Sequence, residues 1–158
     1  MPTPPTVEQP AEPAITRFIP HRGSMLFIDS IVASGPEHVE CRARVRADNP
    51  FQRAGSVRAV VCLEYVAQAV AAYAGLQSET SGQARIGYLI AANRLTLSAA
   101  SLELGDELVV HAKRLWGEST LGKFECAVIR LGITIAQATV SVYQPPLRAA
   151  EDAEQPKP

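Results

Sequence analysis

The stretch SVRAVVCLEYVAQAVAAYAGLQ, residues 56–77, limits what this chain can fold into more than any other. It reads as one long helix rich in Ala, with Ser56 as its N-cap, and from Val57 to Leu76 it is apolar on nearly every side. A helix without a polar face does not lie on a surface, so the rest of the chain is expected to wrap it. That wrapping would enclose Glu64 and, one turn later on the same face, Gln68. An isolated carboxylate is costly to bury, and burial raises its pKa toward neutrality. Glu64 is therefore the first residue to suspect of acid/base chemistry.

The surrounding segments alternate as strands do. In His38 to Arg46, Val39, Cys41, Ala43 and Val45 share one face and His38, Glu40, Arg42, Arg44 and Arg46 the other. An earlier extended run, Met25 to Ala33, follows the turn His21-Arg22-Gly23 and ends at Gly35-Pro36. Asn49-Pro50 marks an irregular entry to the helix, and SETSGQ a loop after it. Four more extended runs follow, near Ile86–Leu97, Glu107–Trp116, Lys123–Leu131 and Ile133–Tyr143. In the second of these Leu108, Val110, Ala112 and Trp116 alternate with Val109, His111 and Lys113.

Two strands, a buried helix and four strands make an α+β domain, expected over residues 15–146. About twenty helical residues span roughly 30 Å, the width of about six strands at ~4.8 Å spacing. A sheet curled around the helix gives the hotdog fold, for which the helix alanines and Gly75 allow close approach. The alternative, a helix laid on one face of a sheet, ordinarily shows a polar stripe. The ends, 1–14 and 147–158, carry Pro, Glu and Gln with few large apolar residues and are expected to be disordered tails.

Fifteen basic against sixteen acidic residues, a net charge of −1, argue against general attraction to nucleic acid or anionic membrane. Arg42, Arg44, Arg46, Arg53 and Arg58 form the most basic stretch, without interleaved stacking aromatics. Cys41, Cys62 and Cys126 are far apart and read as buried hydrophobes of a reduced, cytoplasmic protein. The start lacks a secretory pattern, and Glu64 and Gln68 interrupt the only run near membrane-span length. No metal-ligand spacing, phosphate-binding glycine loop or serine nucleophile motif is present.

The segments FIPHRGSMLFIDSIV, LEYVAQAVAAYAG, LELGDELVVHAKRL and GKFECAVIRLGITIAQATVSVY resemble the 3-hydroxyacyl-[acyl-carrier-protein] dehydratases. They resemble most the branch associated with aryl-polyene biosynthesis, with its Ile-Glu-Tyr-Met-Ala-Gln helix motif. The resemblance implies a hotdog dimer, homomeric or built with a related subunit, with two helices side by side and a site drawn from both protomers. It further implies an acyl thioester carried on an acyl carrier protein and no dissociable cofactor. Housekeeping members place a histidine in a Gly-His-Phe-Pro segment before the helix; here the corresponding residue is Pro50.

Under this resemblance Glu64 is the acid/base group for dehydration to a trans-2-enoyl thioester, and Gln68 orients it. His38 and His111 fall on polar strand faces, which leaves His21, in its Pro-flanked turn, as the second catalytic acid/base group, partnering Glu64. Backbone N–H groups near Ala59 and Val60, at the expected helix start, would polarise the thioester carbonyl. Cys62 lies two residues from Glu64 and so faces elsewhere. Some of the arginines would form a positive rim for the acidic carrier. Two other functions fit the same residues: a hotdog thioesterase, and a non-catalytic acyl-binding subunit that completes a partner's site.

Overall fold

A computed structural model of the chain describes residues 14–78 and 84–146. The two tails expected from composition, apart from Ala14, and most of the SETSGQ loop lie outside these residues.

One six-stranded antiparallel sheet carries the fold, in the spatial order β1-β2-β7-β8-β9-β5. Its strands are β1 (Ser30–Gly35), β2 (His38–Arg44), β5 (Tyr88–Leu97), β7 (Glu107–Glu118), β8 (Leu121–Arg130) and β9 (Ile133–Tyr143). The alternation read in the sequence decides which side faces the helix. Val39, Cys41 and Ala43 of β2, Leu108, Val110 and Ala112 of β7, and Phe124, Cys126 and Val128 of β8 are buried there. With Ile135, Ala138 and Val140 of β9 they form one core around helix α1 (Cys62–Gln77), the arrangement of a hotdog fold. A left-handed turn at Leu131-Gly132, φ 51° and 76°, joins β8 to β9.

The helix is shorter than the sequence suggested. Ser56 does not cap it; Ser56–Arg58 is strand β4, paired with Ser101–Glu103 (β6) and with Gln52–Arg53 (β3) in a second, three-stranded sheet. The reason is a long-range pairing that sets Val57 opposite Leu102, both fully buried, and outweighs local helix preference. A 3₁₀ turn, Ala59–Val61, then leads into α1. The run expected from Met25 likewise opens as a 3₁₀ turn, Gly23–Met25, and becomes a strand only at Ser30.

A second difference lies in β7. A bulge between Arg114 and Trp116 sets one extra residue against β8, so Arg114 pairs with Phe124 while Trp116 pairs with Lys123. The bulge reverses which side chains face the helix from there on. Trp116, expected among the buried residues, is half exposed, while Arg114, just before the bulge, keeps the concave side that Leu108, Val110 and Ala112 face.

Three contacts fasten α1. The Tyr73 hydroxyl donates to the Pro36 carbonyl at 2.7 Å and the Gln77 amide to the Gly35 carbonyl at 3.3 Å, which ties the helix C-terminal half to the β1–β2 turn. Gly75 meets the backbone of Phe18, in the segment after the 3₁₀ turn Ala14–Arg17. A Cβ built on it would stand 2.3 Å from the Phe18 carbonyl oxygen. The close approach that Gly75 allows is thus to this N-terminal segment rather than to the sheet.

The wrapping is one-sided. Tyr65, Val66, Gln68, Ala69, Ala72 and Tyr73 are buried, whereas Leu63, Glu64, Ala67, Ala71 and Ala74 are half-buried. On the same flank the edge strand β5 leaves Tyr88, Leu89, Ile90, Leu95 and Leu97 exposed. Residues Ala59–Gln77 are long and apolar enough to cross a membrane, with half of the span buried inside the protein as a core helix would be.

Candidate active site

Three elements converge on Glu64. The residue stands in the first turn of α1 at the head of a cleft of about 500 Å³. The half-buried face of the helix, Glu64, Ala67, Ala71 and Ala74, floors that cleft, and the ends of β5, β7, β8 and β9 wall it. Pro20 and His21 close the end beside Glu64. The glutamate is not sealed in, as the all-apolar helix suggested: its side chain keeps 30% of its exposure.

Gln68 is the fully buried residue that organises this end. Its Nε2 donates to Glu64 Oε1 at 2.8 Å and to the Met25 carbonyl at 2.7 Å. Its Oε1 accepts from the N–H groups of Phe27 at 2.8 Å and Ile28 at 3.4 Å. Every polar atom of the amide is engaged, so one side chain fixes both the carboxylate and the loop that leads to β1. The other carboxylate oxygen of Glu64 has no hydrogen-bond partner among the described residues and is available to a ligand in the cleft.

His21 Nε2 lies 3.5 Å from Glu64 Oε1, long for a hydrogen bond and short for an electrostatic pair. Arg22 holds its turn by donating to the carbonyls of Thr16 at 3.0 Å, Ile19 at 2.7 Å and His21 itself at 2.8 Å. Burial pushes the His21 pKa below its usual value; the Glu64 carboxylate opposes this and the Arg22 guanidinium adds to it. His21 Nδ1 is buried without a partner, so a ring proton is better placed on Nε2, toward Glu64.

The helix-start amides are the part of the expectation that changes. The Ala59 N–H donates to the Ala100 carbonyl at 3.0 Å, extending the β4–β6 pairing, and is not free for a thioester oxygen. Val60 is exposed and lies one turn before Glu64 on the outward face, but it does not line the cleft. Pro50 also lies outside the cleft lining, in a loop that Asn49 ties to the helix through its contact with the Tyr65 hydroxyl at 3.4 Å.

The remaining candidates stay apart from this centre. Cys62 is buried and its thiol is pushed up to about 11 by burial, which removes it as a nucleophile. His111 pairs with Glu40 at 3.1 Å on the outer sheet face. Arg44 pairs with Glu107 at 3.0 Å, and Arg46 with Asp29 at 3.3 Å and Asp48 at 3.5 Å, so these arginines are already matched to acids. Among the described residues no three His, Cys, Asp or Glu side chains gather as a metal site would require. Sequence reading passed over Arg114. The signal was present: the alternation of Leu108, Val110 and Ala112 runs on to Arg114, and the bulge breaks it only for Trp116.

No curated protein sequence matches the chain. Among solved structures, one chain of the dehydratase heterocomplex ApeI:P from Xenorhabdus doucetiae superposes with a TM-score of 0.77 at 22% identity, covering 84% of this chain and 91% of that one. A hypothetical thioesterase from Streptococcus pneumoniae, solved with coenzyme A, gives 0.57 at 13% identity over 76% and 88%. The Escherichia coli PaaI protein gives 0.58 at 13% identity over 74% and 79%. At these identities the likeness is one of fold. The sequence itself is more specific: residues 13–155 match the model of the ApeP-like family, described as ApeP dehydratase. The chain belongs to the ApeP-like dehydratase family.

Proposed function

We propose that this chain dehydrates 3-hydroxyacyl thioesters borne by an acyl carrier protein, in fatty-acid-like or aryl-polyene synthesis, with Glu64 as the acid/base group. The observation that carries the reading is the Glu64 carboxylate held by Gln68 at 2.8 Å with its second oxygen open to the cleft. In the reaction Glu64 takes the C2 proton, which the thioester makes acidic, and the C2–H electron pair moves to the carbonyl. Return of the pair to C2–C3 breaks the C3–O bond, and Glu64 passes the same proton to the departing hydroxyl, so that water and the 2-enoyl thioester leave. His21 and Gln68 orient the carboxylate.

The protein would act with a second hotdog subunit seated on the outer face of α1 and the β5 edge. Supporting this are the exposed apolar residues Tyr88, Leu89 and Ile90 on an unpaired strand edge, and the likeness to a chain from a dehydratase heterocomplex. A partner there also covers Glu64 and can bring the histidine that Pro50 replaces.

The test is direct. Purified chain, alone and with a hotdog partner encoded beside it, is given a 3-hydroxyacyl carrier thioester. Enoyl absorbance without free thiol supports the proposal, and thiol release would make the protein a thioesterase. Activity that appears only with the partner and survives Glu64→Gln would assign the chain a non-catalytic role.

A further inference from the structure

The far end of the cleft carries a cation that nothing in the reaction uses. Arg114, the last residue of β7 in phase with Leu108, Val110 and Ala112 before the bulge, faces the concave side of the sheet opposite Phe124, and Gly117 leaves room for it; a Cβ there would stand 3.3 Å from Arg114 Cδ. Among the described residues the Arg114 guanidinium has no hydrogen bond and no ion pair, in contrast to Arg44, Arg46 and Arg130. Arg85 lines the same end and donates to the Pro145 carbonyl. Gln77, Ser78 and Gln144 add neutral polar groups, and Glu118 is the one acid at this end among the described residues.

The spacing between this cation and the carboxylate is informative. The Arg114 N–H donates to the Glu37 carbonyl at 2.7 Å, beside the turn that holds Tyr73 and Gln77. Arg114 therefore stands level with helix residues nine to thirteen positions after Glu64, or roughly 14–20 Å along the axis. From thioester sulfur to phosphorus a phosphopantetheine arm runs through thirteen bonds. At the advance of an extended chain, ~1.2 Å per bond, it reaches roughly 15 Å. The small residues Ala67, Ala71 and Ala74 leave a channel between the two ends.

Resting on the thioester reading above, we propose that Arg114 binds the phosphodiester of the pantetheine arm, so that the arm enters at the helix C-terminal end and delivers the thioester to Glu64. A planar guanidinium suits a phosphate oxygen pair, and its field draws the anionic arm inward. Arg85 supports it at longer range.

The experiment measures binding without chemistry, by calorimetry on the full chain with butyryl-pantetheine and butyryl-4′-phosphopantetheine, neither of which can be dehydrated. The phosphorylated ligand should bind roughly tenfold more tightly, with an advantage that falls as salt rises. Arg114→Gln should abolish that advantage and leave affinity for butyryl-pantetheine unchanged, while Arg114→Lys keeps part of it. Equal affinities for the two ligands, or an advantage that survives Arg114→Gln, overturns the assignment. So does tighter binding of glutaryl-pantetheine that Arg114→Gln removes, because the anion would then belong to the acyl end. A phosphate preference that depends on Arg114 in a protein without dehydratase activity leaves this site standing and removes the reaction proposed for Glu64.

Discussion

The two faces of α1 differ more than their sequences do. The inner face ends in Gln68, an amide with all its hydrogen bonds made and no exposure, set among Tyr65, Ala69 and Ala72. The outer face, Glu64, Ala67, Ala71 and Ala74, is as short-chained and apolar around its one charge, yet half open beside an uncovered strand edge. The inner face is a completed core and the outer face is a wall short of its other half. Substitutions should separate accordingly, with stability governed by the first and chemistry or assembly by the second.

Glu64→Gln should break the comparison most sharply. Turnover of a 3-hydroxyacyl thioester should fall by roughly a thousandfold, while the thermal midpoint stays within error because the new amide fits the same space. Gln68→Leu should do the reverse first. It strands the Phe27 N–H and the Met25 carbonyl in the core and should cost about 3 kcal/mol in denaturant titration, with activity lost as Glu64 loses its tether. Gly75→Ala pushes a methyl into the Phe18 carbonyl and should cost about 2 kcal/mol. An open outer face at this point would instead leave stability unchanged. Ile90→Lys on β5 should change stability by only about 0.5 kcal/mol but abolish association with a second subunit, read by light scattering.

The smallest effect is in pH. Since burial lowers the His21 pKa, protonation of the ring, which sets an imidazolium charge beside the Glu64 carboxylate and weakens it as a base, should set an acid limb of activity below the ordinary histidine value of 6.5. The same direction applies to stability: the unfolded chain binds the proton more readily, so acidification below about 6.5 disfavours the fold. In Glu64→Gln the anion that raises the His21 pKa is gone, and NMR titration should find the ring protonating at lower pH than in the parent. An unchanged titration would separate His21 from Glu64 electrostatically.

Much of the frame was readable in residue order because it depends on local alternation. Val39, Cys41 and Ala43, or Phe124, Cys126 and Val128, announce their strands and their inner face without knowledge of neighbours. The Glu64–Gln68 contact follows from one helical turn. What escaped depends on partners distant in sequence. Ser56–Arg58 became a strand because Ser101–Glu103 runs beside it, and that pairing also consumed the Ala59 amide expected to serve the carbonyl. The openness around Glu64 was hidden because an apolar helix face reads the same whether a strand of its own chain or another molecule covers it.

Trp116 was misplaced for a different reason: alternation counts residues, and the bulge at Arg114 adds one to the count. That extra position gives the β7–β8 hairpin a reading frame of its own. A deletion of Leu115 would take out the bulge yet leave Arg114 opposite Phe124 on the inner side and Trp116 opposite Lys123 on the outer one. The guanidinium at the end of the channel would thus survive the loss of that codon, with the Glu64 end untouched. Ligand choice at this end of the domain is in that sense buffered against the loss of a residue and open to substitution at Arg114 itself.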